Sequence, residues 1–198
     1  MKQEVASFLD YVAHSPTVFQ ATQQACDMLD AAGFTRLSEH EAWEILPGGR
    51  YYVTRNRSAL VAFAVPENGF THCQIVASHG DSPTFKLKAH AEGEAAGAYI
   101  RLDVEPYGGM IMSTWFDRPL SIAGRALVRE GGRLVTRLID LDRDAALIPN
   151  MPIHFNRDIN SGYSYNPQTD MLPLFGGKDA KGALAAEIAA KAGAKEED

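Results

Sequence analysis

The chain has 198 residues, 45% of them hydrophobic, and a formal net charge of -6, which is typical of a soluble globular protein with one large domain or two small ones. The acidic balance and the lack of a dense Lys/Arg block argue against nucleic acid or an anionic membrane as principal partners, and leave small neutral or peptide-like ligands open. No apolar run approaches the roughly 18 residues of a membrane span, and the N-terminus lacks the layout of a secretion signal, so we expect a cytoplasmic protein.

Two helices are predicted at the start of the chain. Apolar side chains recur at helical spacing over residues 3–14, at Val5, Phe8, Leu9 and Val12. Ser15 suits the N-cap of a second helix and Pro16 its first position, because proline lacks the N–H that this position leaves unpaired. Gly33 is expected to close the second helix in a left-handed conformation.

From Arg50 onward the sequence shows the patterns of β-strands, which are alternating apolar and polar residues or short apolar runs. Strands are predicted at residues 51–54, 59–65, 73–78, 84–89, 99–104, 122–128 and 134–139. The stretch Glu130–Arg133 contains two glycines and predicts a hairpin turn between the last two strands. Because the sequence is mostly β in character after His90, we expect an α/β fold with a domain change near residue 90.

The cysteines, one aromatic stretch and the C-terminal tail are interpreted as structural. Cys26 and Cys73 each lie among apolar neighbours, so both are predicted to be buried free thiols. Residues 115–118 read Trp-Phe-Asp-Arg, for which a buried aromatic pair with an Asp–Arg ion pair is favoured over a substrate pocket. Residues 176–179 are expected to end a loop. The Ala-rich stretch 183–195 is expected to be a marginal helix in a solvated or frayed tail, since acidic residues follow it.

The strongest functional signal is the stretch 76–83, which reads Val-Ala-Ser-His-Gly-Asp-Ser-Pro. It places His79 and Asp81 at the exit of the predicted strand 73–78, and strand exits in open α/β sheets are where ligand sites collect. There an imidazole binds a metal through one ring nitrogen, while a carboxylate hydrogen-bonds the other nitrogen and fixes the tautomer. These residues alone leave a hydrogen-bonded loop histidine open as the alternative.

Six stretches together resemble the aspartyl aminopeptidase family of zinc metallopeptidases, in the family's order and at similar spacing. They are SPTVF at 15–19, GGRYYVTRN at 48–56, HGDSP at 79–83, YGG at 107–109, STWFDR at 113–118 and IPNMPIHFNR at 148–157. The resemblance implies that residues 1–90 form the N-terminal part of a catalytic α/β domain. It also implies that residues 91–175 form a β-rich insert through which subunits pair, followed by a truncated Ala-rich tail at 176–198.

The same resemblance assigns roles to three side chains. His79 corresponds to a zinc ligand, and Asp81 to the carboxylate that orients it. His154 corresponds to a histidine that crosses the dimer interface, contacts substrate in the neighbouring active site and stabilises the oxyanion, although some assignments treat it as a zinc ligand. The residues around His154 by themselves leave open an interface or a packed structural histidine. The implied function is an aminopeptidase that releases acidic (Asp/Glu) N-terminal residues from peptides, with two zinc ions per complete site and a homo-oligomeric assembly.

By the resemblance, the metal site is incomplete in this chain. Family members are considerably longer, and the remaining zinc-binding carboxylates, the glutamate general base and the last zinc-binding histidine lie in the part not present here. One histidine does not hold a zinc ion, because such sites need three or four donors. The alternative function is therefore a non-catalytic assembly or binding module that retains the pairing insert. An incomplete sheet is also expected to expose edges and apolar faces and to cause self-association.

Overall fold

Residue contacts divide the chain into two units, one ending at Ser82 and the other beginning at Pro83, and the computed structural model describes residues 2–196. The architecture is mixed α/β, as predicted. The division lies earlier than the expected domain change near residue 90, because residues 84–95 form one continuous strand that pairs within the second unit. Among the described residues, no helix is long and apolar enough to cross a membrane.

The first unit consists of two helices and a three-stranded sheet. The elements are α1 (Gln3–Ala13), α2 (Val18–Ala31), β1 (Thr35–Leu37), β2 (Arg50–Arg55) and β3 (Ala59–Ala64). Strand β2 is central, parallel to β1 and antiparallel to β3. Tyr52 on β2 is fully buried, and its hydroxyl donates a 2.7 Å hydrogen bond to Asp30 near the end of α2. The ring and its hydroxyl therefore tie the sheet to the helix.

The two helices lie where the sequence predicts them, but the cap of α2 differs. Thr17 is the N-cap, since its side-chain oxygen accepts the N–H of Phe19 at 3.2 Å. Ser15 is therefore not the cap, and Pro16 precedes the helix instead of starting it. A threonine hydroxyl two residues before an unpaired amide satisfies that amide directly, which Ser15 is too far along the chain to do.

Gly33 has a φ of 78°, so it ends the second helix in the left-handed conformation that was predicted. The apolar stripe of α1 exists but is exposed, with Phe8 63% and Val12 51% accessible. Helical spacing thus gave the correct element, but it did not identify what the apolar face packs against.

The predicted strand at residues 73–78 does not form. Among the described residues this segment pairs with no other strand, and Val76 is 92% exposed. A short apolar run becomes a strand only where a neighbour satisfies its backbone N–H and C=O groups, and the sheet of this unit ends at β3. For the same reason Cys73 is exposed, which contradicts its prediction, whereas Cys26 on α2 is buried as predicted.

The second unit contains a five-stranded sheet, a separate hairpin and one helix. In chain order the elements are β4 (Thr84–Ala95), β5 (Tyr99–Tyr107), β6 (Pro119–Leu120), β7 (Ala123–Glu130), β8 (Arg133–Asp140), β9 (Ala146–Leu147), β10 (Leu174–Gly177) and α3 (Ala183–Ala192), with single 3-10 turns at Met112–Trp115 and Lys178–Ala180. The sheet order is β4-β5-β10-β9-β6, and every neighbouring pair is antiparallel. The β7–β8 hairpin turns at Gly131 and Gly132, which both have positive φ, as the sequence predicted.

The C-terminal stretch is packed, which corrects the expectation of a loop followed by a solvated tail. Gly176 and Gly177, which were expected at the end of a loop, instead lie in β10, the central strand of the sheet. Leu184 and Ala192 of α3 are buried in two apolar clusters of this unit. The carboxylate of Glu92 accepts the N–H groups of Gly182 at 2.6 Å and Leu184 at 3.0 Å, and so caps the start of α3. Glu197 and Asp198 lie outside the described residues.

Candidate functional site

His79 and Asp81, the predicted metal ligand and its orienting carboxylate, are in contact in the first unit. His79 Nδ1 lies 2.8 Å from the backbone carbonyl oxygen of Asp81 and 3.2 Å from its Oδ1. Both partners are acceptors, so Nδ1 carries the proton of the neutral ring and Nε2 keeps its lone pair. The imidazole is 83% exposed, which leaves that lone pair accessible. The local chain therefore sets the tautomer that a metal ligand needs.

The described residues supply one metal donor at this place and not a complete set. Within residues 2–196, no group of three or more His, Cys, Asp or Glu side chains is arranged to hold a metal ion. His72, the other histidine of this exposed segment, has its Nδ1 3.4 Å from the hydroxyl of Thr71. Because zinc takes three or four protein donors, the residues present do not fit a zinc ion by themselves.

His154 lies in the second unit, on a turn that follows β9. The carbonyl of Pro152 accepts the N–H groups of Phe155 at 2.9 Å and Asn156 at 3.2 Å, which closes the turn around the histidine. His154 is exposed, and its neighbours Ile153 and Phe155 are 46% and 81% exposed. A packed structural histidine is therefore excluded within this chain. Exposed apolar residues next to a polar group are typical of a surface that contacts another molecule.

The segment that leads to this turn begins in the apolar core of the second unit. Ile148 and Met171 are fully buried in one apolar cluster of the second unit. The backbone N–H of Asp117 donates to the carbonyl of Ile148 at 2.9 Å, and Asp117 Oδ1 accepts the N–H of Asn150, also at 2.9 Å. Asp117 therefore makes two hydrogen bonds to the backbone just before His154.

The predicted Asp117–Arg118 ion pair is absent from the described part of the chain. Arg118 donates instead to a carbonyl oxygen in the preceding 3-10 turn, at 3.4 Å, while the Asp117 carboxylate bonds across to the chain after β9. The aromatic part of the prediction holds for Phe116, which is buried, and less for Trp115, which is half-buried. The role of Asp117 was missed, because its hydrogen-bond partner Asn150 is distant in the sequence.

The far side of the segment that carries His154 is held by Asp170. Its carboxylate accepts the hydroxyl of Tyr163 at 2.8 Å, the N–H of Asn166 at 2.9 Å and the hydroxyl of Thr169 at 2.9 Å. Burial alone would raise the pKa of Asp170, but these hydrogen bonds to the charged form outweigh it and lower the pKa below its ordinary value. The loop is thus anchored on both sides of the turn.

Comparisons with known proteins match nearly the whole chain. The family model described as aminopeptidase I zinc metalloprotease (M18) matches residues 11–197. A probable M18 family aminopeptidase 2 of Clostridium acetobutylicum is 43% identical over 186 residues, which are 89% of this chain and 42% of the relative.

Solved structures agree with this match. A chain in the cryo-EM structure of the Ape4 and Nbr1 complex superposes with a TM-score of 0.88 at 36% identity, over 94% of this chain and 39% of that one. The mApe1 dodecamer of S. cerevisiae gives a TM-score of 0.79 at 25% identity, over 99% of this chain and 46% of that one. The chain therefore spans less than half the length of these relatives.

Proposed function

The chain belongs to the M18 family of zinc metalloproteases, and from this we propose that it forms part of a zinc-dependent aminopeptidase that releases acidic N-terminal residues from peptides. The observation that carries the proposal is the contact between His79 and Asp81, which leaves Nε2 of the exposed ring free to bind a metal. The six sequence stretches that resemble aspartyl aminopeptidases support the acidic preference.

Each of the three candidate residues has one task in this proposal. His79 offers Nε2 as one ligand of a zinc site, while Asp81 accepts a hydrogen bond from Nδ1–H, keeps the ring oriented and raises its basicity. His154 hydrogen-bonds a substrate held by an adjoining subunit and stabilises negative charge on the carbonyl oxygen. The remaining donors of a two-zinc site come from outside the described residues. A zinc ion held by His79 together with such donors would supply Lewis-acid chemistry, polarising a carbonyl and making bound water more acidic.

A homo-oligomer is part of the proposal, because His154 can reach a neighbouring active site only across an interface. Its position between two exposed apolar side chains suits such an interface. The relative from S. cerevisiae is a dodecamer, which supports assembly in this family.

The test is release of aspartate from an N-terminal aspartyl chromogenic peptide by the purified chain combined with the remaining part of an M18 relative, which supplies the other zinc donors, with added zinc and with chelator, against a leucyl peptide. We expect chelator-sensitive turnover that prefers the aspartyl peptide and is lost in His79→Gln. His72→Gln is the matched control, since His72 is an exposed histidine of the same segment, and it should keep full activity. Turnover that resists chelator, or that survives in His79→Gln, would contradict the assigned metal ligand.

One observation favours a second function, a non-catalytic assembly module. No group of three metal-binding side chains occurs within residues 2–196, so the chain needs donors from elsewhere to hold zinc. In that case the folded chain shows no turnover with zinc, while it still forms an oligomer in analytical ultracentrifugation. Mutation of Phe155 to Ser, at the 81% exposed position beside His154, is expected to weaken that oligomer.

A further inference from the structure

We propose that Asp117 is a positioning residue for His154, an inference that rests on the role given to His154 in the proposed function. Asp117 touches neither substrate nor metal in this proposal. It acts through the backbone that leads into the turn bearing the histidine.

The contacts form a continuous path from the core to that turn. Ile148 is fully buried, and its carbonyl accepts the N–H of Asp117 at 2.9 Å. The carboxylate of Asp117 then accepts a hydrogen bond from the N–H of Asn150 at 2.9 Å, and the side-chain oxygen of Asn150 accepts one from the N–H of Met151 at 2.9 Å. The next residue is Pro152, whose carbonyl closes the turn around His154. These hydrogen bonds therefore restrain the backbone from the buried core up to the turn that carries the imidazole.

The residue type at position 117 matches this task. Its φ is 54°, a left-handed backbone conformation that glycine, asparagine and aspartate tolerate better than other residues. Glycine would accept the conformation but offers no acceptor to Asn150. Aspartate meets both requirements, and asparagine is the only common replacement that also does so through its amide oxygen.

Positioning matters here because, among residues 2–196, side-chain packing does not fix the imidazole. His154, Ile153 and Phe155 are exposed, so side-chain packing within the chain does not hold the turn. A hydrogen-bond donor for a developing oxyanion has to be held within a fraction of an ångström of its productive place, and a misplacement of about 1 Å can cost about 100-fold in rate. The two hydrogen bonds of Asp117 to the backbone of Ile148 and Asn150 restrain the turn instead.

The test compares Asp117→Gly with Asp117→Asn in the full chain. Both variants tolerate the left-handed backbone, but only asparagine keeps the acceptor. Hydrogen exchange of the Asn150 and Met151 amides should accelerate about fivefold or more in Asp117→Gly and stay near wild type in Asp117→Asn. The ring carbon signal of His154, identified by its loss in His154→Gln, should shift and sharpen in Asp117→Gly and be restored in Asp117→Asn.

Asp142→Gly is the matched control, because Asp142 is also an exposed aspartate with a positive φ, 48°, in the second unit. It should alter neither the two amides nor the His154 signal. If Asp117→Gly leaves the amides and the His154 signal unchanged, or if Asp142→Gly changes them equally, the positioning role is wrong.

The activity assay separates this inference from the proposed function. If His154 acts on substrate, Asp117→Gly lowers kcat by about 10- to 100-fold with a smaller effect on KM, and Asp117→Asn restores it. If His154→Gln leaves kcat unchanged while the exchange and ring signals respond as expected, the assigned role of His154 fails and the positioning by Asp117 stands.

Discussion

Replacement of Glu92 by alanine should destabilise the second unit by about 2 kcal/mol, because this one carboxylate caps α3 from a neighbouring strand. The N-cap residue of α3 is Gly182, which has no side chain to satisfy the first amides, and Glu92 accepts the N–H groups of Gly182 and Leu184 instead. A ten-residue helix does not persist by itself in water, so its packing depends on this attachment.

The expected loss in the free energy of unfolding has two contributions. Loss of a helix N-cap costs about 0.5–2 kcal/mol. Loss of a negative charge beside the positive end of the helix dipole costs about 0.3–1 kcal/mol more. Glu92 is half-buried and partly screened by water, so we take the middle of the combined range. Glu92→Gln keeps an acceptor but loses the charge, so about a third of the effect is expected.

Urea unfolding followed by the fluorescence of Trp115 measures this difference, in a Trp43→Phe background that removes the other tryptophan. Glu94→Ala is the control. Glu94 lies on the same strand and contacts the same region, but only through an exposed ion pair with Lys181 at 3.1 Å, which contributes about 0–1 kcal/mol. If Glu92→Ala and Glu94→Ala lower the free energy of unfolding equally, the capping argument is refuted.

Two further predictions concern the first unit. Burial, and then the hydrogen bond to Asp30, raise the pKa of Tyr52 to about 12 from 10.0, so its contribution to stability is complete below pH 10 and is lost as the pH rises towards 12. The free energy of unfolding, measured with urea, should therefore fall less between pH 10 and 12 in Tyr52→Phe than in wild type, whereas Tyr51→Phe should keep the wild-type pH dependence. An equal fall in wild type and Tyr52→Phe would disprove this. In a thiol titration of the native protein, Cys73 should react at once and Cys26 only after unfolding, since burial raises the pKa of the Cys26 thiol. Fast reaction that persists in Cys73→Ser would mean that α2 does not protect Cys26.

The parts of the structure that the sequence predicted are the local ones. The β7–β8 hairpin depends on two adjacent glycines, and the contact of His79 with Asp81 joins residues two positions apart. Both features depend on residues that are close in the sequence, which a local sequence pattern can predict. The family resemblance extended this to the fold class, which the comparisons confirm.

The parts that were missed depend on distant partners. The run at residues 73–78 has the composition of a buried strand, but among the described residues no neighbouring strand pairs with it. The stretch of β10 contains two glycines and resembles a loop, yet it becomes a strand because β5 and β9 lie on either side of it. The bond from Asp117 to Asn150 joins residues 33 positions apart, and no local pattern predicts such a pair.

The order of strands in the five-stranded sheet has a consequence for how the protein is made. Its central strand, β10, is the last of the five in the sequence and pairs with β5, in a register that sets Leu174 against Arg101. A chain that leaves the ribosome N-terminus first can form the β4–β5 and β7–β8 hairpins early, because each closes a short loop. The sheet, however, stays in two halves, β4–β5 and β6–β9, until residue 177 has emerged. During synthesis, therefore, the edges of β5 and β9 are open to wrong partners until β10 is available, and faster elongation or a chaperone over this interval should raise the yield of folded protein.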